Sequence, residues 1–140
     1  MVQSISEVMT KHPVTLPGSA TVRQAAEAMD RADIGNVLVV NEADVVRGIV
    51  TDRDITVRVV AEGRDPADTR LSEICSDEIL TLTPKDTVDQ AVRLMQQQAI
   101  RRLPVVEGGR AAGIVTLGDL AVTQDPDSAL ADISAAPADE

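Results

Sequence analysis

Three observations predict that this 140-residue chain is an α/β (α+β) fold built twice, each copy in the order β-α-β-β-α. The two halves of the sequence align on one another. Each half carries one amphipathic helix stripe. Each also carries two short runs rich in Val, Ile and Leu, joined by turn residues.

The repeat sets the frame. A shift of 66 residues places Ile5-Ser6-Glu7-Val8 on Leu71-Ser72-Glu73-Ile74, and Val14-Thr15-Leu16 on Leu80-Thr81-Leu82. It also places Thr21-Val22-x-Gln24-Ala25 on Thr87-Val88-x-Gln90-Ala91, Met29 on Met95, and Val39-Val40 on Val105-Val106. After one deletion the shift is 65, and Gly48-Ile49-Val50-Thr51-x-x-Asp54 falls on Gly113-Ile114-Val115-Thr116-x-x-Asp119. The organisation read from this is repeat 1 at 1–62, a linker at 63–70, repeat 2 at 71–122, and an acidic, weakly ordered tail at 123–140.

Within each repeat a polar-capped helical turn comes first, then a brief strand at Val14-Leu16 or Leu80-Leu82. Apolar residues at 22, 25, 26 and 29, and at 88, 91, 92 and 95, give the one-sided stripe of an amphipathic helix. Thr21-x-x-Gln24 and Thr87-x-x-Gln90 have the form of capping boxes and mark where those helices start. The strand pairs Val37-Val40 with Val45-Val50, and Leu103-Val106 with Ala111-Val115, are separated by Asn41-Glu42-Ala43-Asp44 and Glu107-Gly108-Gly109-Arg110. A second helix follows each Thr. In repeat 1 it runs through Ile55, Val59 and Val60 until Gly63 and Pro66 break it. The expected result is two three-stranded sheets with helices on one side.

Composition limits what such a fold can do. A net charge of −10 excludes non-specific binding to nucleic acid and docking on an anionic membrane. The chain has no Phe, Tyr or Trp, so any base must be held between aliphatic side chains. No apolar run reaches the roughly 20 residues of a membrane helix, and the N-terminus lacks a signal-peptide pattern. With Cys75 as the single cysteine, a cytoplasmic setting is expected.

The run Ile34-Gly-Asn-Val-Leu-Val-Val, the run Ala99-Ile-Arg-Arg-Leu-Pro-Val-Val106 and the two Gly-x-x-Thr-x-x-Asp motifs resemble those of CBS domains. The resemblance covers about residues 1–122 and is similar to small stand-alone two-domain proteins of actinobacteria. It implies two repeats packed with pseudo-twofold symmetry into one module, with two clefts between them, and a homodimer. It further implies a regulatory, non-enzymatic protein whose clefts take AMP, ADP, ATP, S-adenosylmethionine or a related adenosine-type molecule, and whose state is read by an effector protein.

In the family the motif Asp takes ribose hydroxyls, the motif Thr lies near phosphates, and apolar side chains hold the base. Carried onto this chain, the first cleft has Val14, Ile34, Gly35 and Asn36 as walls, with Thr51 and Asp54 on the ribose. Arg101 and Arg102, just before the second strand of repeat 2, would meet its phosphates through charge-assisted contacts, and Arg53 is a further phosphate candidate. The second cleft, with Leu80, Ile100, Thr116 and Asp119, has only Gly35 and Asn36 opposite and suits an uncharged nucleoside or nothing. Each motif also satisfies a simpler need, because Thr followed by an acid three residues on is a helix N-cap. Arg101 and Arg102 could equally form surface ion pairs.

No nucleophile with its base, glycine-rich phosphate loop or metal-ligand cluster is recognisable, so no cofactor or metal is expected. His12 reads as a solvated turn residue and Cys75, aligned with Met9, as a small packing residue. A second reading of the chain stays open: a ligand-free structural or protein-interaction dimer.

Overall fold

The computed structural model describes residues 3–76 and 79–124. They fall into two units, one of residues 13–76, 79 and 109–111, the other of residues 3–12, 80–108 and 112–124. The unit boundaries cut across the sequence repeats. The residues up to His12 belong with repeat 2.

In the first unit, β2 (Thr15–Pro17) runs parallel to β3 (Asn36–Val40), which pairs antiparallel with β4 (Val46–Thr51). The parallel step is bridged by α2 (Val22–Ala32). Its start is fixed as the sequence predicts. The Thr21 hydroxyl accepts the Gln24 N–H at 3.2 Å, and Gln24 Oε1 accepts the Thr21 N–H at 2.8 Å. It ends at Asp33 in the left-handed region, φ 58°.

The buried face of α2 is Val22, Ala25, Ala28 and Met29, while Ala26 is exposed, contrary to the predicted stripe. At 3.6 residues per turn Ala26 lies about 90° round from the middle of that face. The turn between β3 and β4 is an Asx turn. Asn41 Oδ1 accepts the N–H groups of Ala43 and Val45, at 2.9 and 3.0 Å. After β4, α3 (Asp52–Ile55) passes directly into a π-helical turn, Thr56–Val60, closed by the Ala61 N–H on the Thr56 carbonyl at 2.9 Å.

The second unit follows this plan, with changes at its sheet edges and in its last helix. Helix α4 (Val88–Gln98) has the same box, Thr87 with Gln90, and buries Val88, Ala91 and Met95. Strands β5 (Arg102–Glu107) and β6 (Arg110–Thr116) follow, then α5 (Leu117–Gln124). The β5–β6 turn uses Gly108 and Gly109 at φ 60° and 84°, where a side chain would be strained. The strand expected at Leu80–Leu82 shrinks to a single parallel bridge between Leu82 and Val105.

Its cause is one residue. In the first unit the Leu38 N–H donates to the Val14 carbonyl at 2.9 Å. The aligned donor in repeat 2 is Pro104, which has no N–H to offer Leu80. Leu80 is 42% exposed accordingly. The sheet regains a third strand on its other edge, where β1 (Thr10–Lys11) pairs antiparallel with β6. His12, just beyond it, is exposed with φ 59°. Most of the expected acidic tail, from residue 125, and Asp77 and Glu78 lie outside the described residues.

The opening turn of each repeat completes the unit formed by the other. Ile5, in α1 (Ile5–Val8), is fully buried in the core of Leu82, Val88, Ala91, Met95, Leu103, Val105, Val115 and Leu120. Leu71 and Ile74, in and after a 3₁₀ turn at Leu71–Glu73, are buried with Val22, Ala25, Met29, Val37, Val39, Val50 and Val59. The backbone attachments are equivalent. Ile5 and Ser6 donate to the Asp86 and Pro84 carbonyls, as Leu71 and Ser72 donate to those of Ala20 and Gly18.

The same segments explain the motif glycines. A Cβ on Gly48 would lie 2.7 Å from the Ser76 carbonyl oxygen, and one on Gly113 would lie 2.7 Å from both the Thr10 carbonyl oxygen and Met9 Sδ. Cys75 packs against the core beside Gly48, in the role predicted for it.

Three outcomes are expected. Ile5→Ala and Leu71→Ala should each cost about 2–5 kcal/mol in denaturant unfolding, since each truncates a fully buried side chain. Gly48→Ala and Gly113→Ala should each cost about 1–3 kcal/mol by overpacking against backbone. Glu73 accepts the Arg70 N–H and pairs with Arg64, both at 2.7 Å. Its pKa lies below the ordinary value, chiefly through the Arg70 N–H bond. A depressed carboxylate stabilises above its unfolded-state pKa and loses that effect as pH falls through the folded value. Glu73→Gln should therefore lessen the fall in melting temperature on acidification below about pH 4.3.

Candidate functional site

Each unit carries one Thr-x-x-Asp box where its last strand turns into its last helix. Thr51 closes β4 opposite the buried Asn36 of β3, and the next N–H, from Asp52, donates to the Gly35 carbonyl at 3.0 Å. In the other unit the Leu117 N–H donates to the Arg101 carbonyl at 2.8 Å. In both units the residue leading into the strand beside the motif strand, β3 or β5, is thus tied to the start of the motif helix.

The boxes themselves are reciprocal. The Thr51 hydroxyl accepts the Asp54 N–H at 3.1 Å, and Asp54 Oδ2 accepts the Thr51 N–H at 2.8 Å. Thr116 and Asp119 do the same at 3.1 and 3.0 Å. The capping role open from the sequence is therefore realised in both units. It engages one carboxylate oxygen of each acid. An ionised carboxylate has about four acceptor positions, so the cap does not saturate Asp54.

The surroundings of the two acids differ. Asp54 Oδ1 faces Arg58 Nε at 3.9 Å, and Arg58 Nη1 donates to the Ile74 carbonyl at 2.9 Å. Asp119 Oδ2 lies 3.4 Å from the Thr10 hydroxyl, which β1 delivers. Neither Arg58 nor Thr10 was among the sequence-derived site residues. Arg58 was readable, being four residues beyond Asp54 on one helix face. Thr10 was not, because it lies 109 residues from Asp119 and its strand was not anticipated.

Val14, Ile34, Gly35, Asn36, Thr51, Arg53 and Asp54 all belong to the first unit. Val14, Ile34 and Gly35 are half-buried and Arg53 is exposed. Leu80, Ile100, Arg101, Arg102, Thr116 and Asp119 belong to the second. There Arg101 is exposed and Arg102 half-buried at the start of β5. Ile100 and Arg101 line an apolar hollow of about 480 Å³ with Val92, Met95, Leu117 and Leu120. Among the described residues, no group of three or more His, Cys, Asp or Glu could hold a metal ion, and no helix is long and apolar enough to cross a membrane.

The CBS domain family model matches residues 5–61 and 71–123. The CBS domain-containing protein YhcV of Bacillus subtilis is 41% identical over 121 residues, covering 86% of this chain and 85% of YhcV. Hypoxic response protein 1 of Mycobacterium tuberculosis is 33% identical over 101 residues, 72% of this chain and 71% of that protein. In the crystal structure of the CBS domain pair of protein MJ0100, solved with 5′-methylthioadenosine and S-adenosyl-L-methionine, the fold is the same. Its TM-score is 0.82 at 23% identity, over 91% of this chain and all of that one. Proteins of this family are typically non-catalytic regulatory modules. The chain belongs to the CBS-domain family, as a tandem pair related to YhcV and hypoxic response protein 1.

Proposed function

We propose that the chain is a regulatory CBS pair that binds an adenosine-type ligand, with Thr51 and Asp54 on its ribose. The supporting observation is the Asp54 carboxylate, which keeps acceptor capacity after capping and has Arg58 facing its second oxygen. Val14, Ile34, Gly35 and Asn36 are the wall residues in this reading. Arg101 and Arg102 serve the phosphates of AMP, ADP or ATP. S-adenosylmethionine fits the same ribose contacts. Thr116 and Asp119, with Leu80 and Ile100, form the weaker site, since Thr10 already shares the acid there.

The protein acts as a cytoplasmic homodimer whose state an effector protein reads. Val57 and Val60, 45% and 64% exposed on the π-helical turn, and the hollow beside Leu117 are surfaces that a second copy would cover. Ligand can shift such an equilibrium only through its differential affinity for two states.

The rival reading, a structural dimer with empty clefts, has its own support, because capping alone already accounts for both Thr-x-x-Asp motifs.

Thermal unfolding followed by calorimetry or circular dichroism, with AMP, ADP, ATP, S-adenosylmethionine and NAD, separates the two readings. A ligand at 100 times its Kd should stabilise by about 2.7 kcal/mol. No shift with any of them at millimolar concentration would leave only the structural reading. Asp54→Ala should abolish the shift more completely than Asp119→Ala, each measured against its own ligand-free midpoint. That reference matters, because either change also removes a cap interaction worth about 1 kcal/mol. The reverse order would overturn the assignment of the stronger site.

A further inference from the structure

We infer that Arg58 is the positioning residue for Asp54, and so sets how tightly the first motif holds a ribose. The inference rests on the proposed adenosine reading and deepens it. Four observations carry it. Arg58 lies on the π-helical turn Thr56–Val60, which replaces the regular helix found in the second unit. Its guanidinium is anchored at one end, where Nη1 donates to the Ile74 carbonyl at 2.9 Å. From there Nε faces Asp54 Oδ1 at 3.9 Å, on the opposite carboxylate oxygen from the one that takes the Thr51 N–H. Finally, the position aligned with Arg58 in repeat 2 is Thr123, which brings no charge.

The geometry has a specific consequence. The Thr51 N–H fixes one oxygen of Asp54, but a carboxylate held at one oxygen can still rock about χ2. A planar guanidinium clamped on a backbone carbonyl gives the second oxygen a fixed charge to face. The acid is then held in one orientation before ligand arrives, and less ordering entropy is lost when hydroxyls bind. Arg58 acts through Asp54 in this arrangement. The Arg58–Asp54 pair itself adds little to the stability of the fold, since it is half-exposed and beyond hydrogen-bond distance.

The test compares adenosine, AMP, ATP, S-adenosylmethionine and 5′-methylthioadenosine by isothermal calorimetry on the unsubstituted protein, Arg58→Gln and Arg58→Lys. Arg58→Gln should weaken every compound that binds by the same factor, roughly three- to tenfold, whatever its charge. Arg58→Lys should recover part of the loss, with each variant measured well below its own ligand-free melting temperature, since both lose the guanidinium bond to the Ile74 carbonyl. Unchanged affinities in Arg58→Gln would overturn the inference. So would a loss that grows from adenosine to ATP, which would make Arg58 a phosphate contact in its own right. Failure of the unsubstituted protein to bind any of the five would instead overturn the adenosine reading, and the role of Arg58 would fall with it.

Discussion

The structure depends on two side chains that leave the repeats they begin. Ile5 and Leu71 occupy aligned positions, both fully buried, and each fills the core of the unit built from the other repeat. Neither repeat contains a complete core in its own contiguous sequence. In the first unit Leu71 and Ile74 sit under a sheet and helix that ended at least ten residues earlier. In the second, Ile5 reaches a strand bridge and helix nearly eighty residues further along the chain. Burial at about 25 cal/mol per Å² rewards each insertion only after that loop has closed. Each core is therefore assembled from both repeats, although the sequence reads as two separable copies.

That exchange also shows where sequence reading stops. Short-range features were legible because their causes are local. The capping boxes of Thr21 and Thr87 start α2 and α4 where expected, and the Asn41 and Gly108-Gly109 turns join the strand pairs. The destination of the opening turns was not legible. Ser-Glu beside an apolar residue specifies a helical turn, but nothing in it says which core the apolar residue will enter. The third strand of the second sheet shows the same limit. Pro104 was visible within an apolar run, yet its consequence appears only once Val14 and Leu80 are placed opposite the aligned residues Leu38, a donor, and Pro104, which has no N–H. A residue that removes one N–H alters an edge whose partner is more than twenty positions away.

The candidate site divides along similar lines. Thr51, Asp54, Thr116 and Asp119 were found because spacing inside one turn is a local property. Their two further partners differ in how they could have been found. Arg58 follows from the i, i+4 neighbourhood of a helix. Thr10 depends on a strand pairing that no local pattern announces. The part given to the exposed Arg101 and the half-buried Arg102 rests on the family resemblance.

The cap and the ligand-acceptor roles of the motif acids compete for the same atoms, and the geometry sets the terms. An N-cap interaction is worth about 1 kcal/mol and satisfies an N–H that would otherwise lack a helical partner. Giving it up to accept a ribose hydroxyl would exchange one hydrogen bond for another, with little net gain. A ligand gains most where the acid can keep its cap and still accept from a second direction. Asp54 meets this condition, since Oδ2 serves Thr51 while Oδ1 is turned towards Arg58. In Asp119 the same Oδ2 serves both the Thr116 N–H and the Thr10 hydroxyl. Two motifs that are identical as Thr-x-x-Asp thus stand in different surroundings. The difference comes from residues outside the motif: a cation one turn along the helix in the first unit, and a hydroxyl delivered by a distant strand in the second.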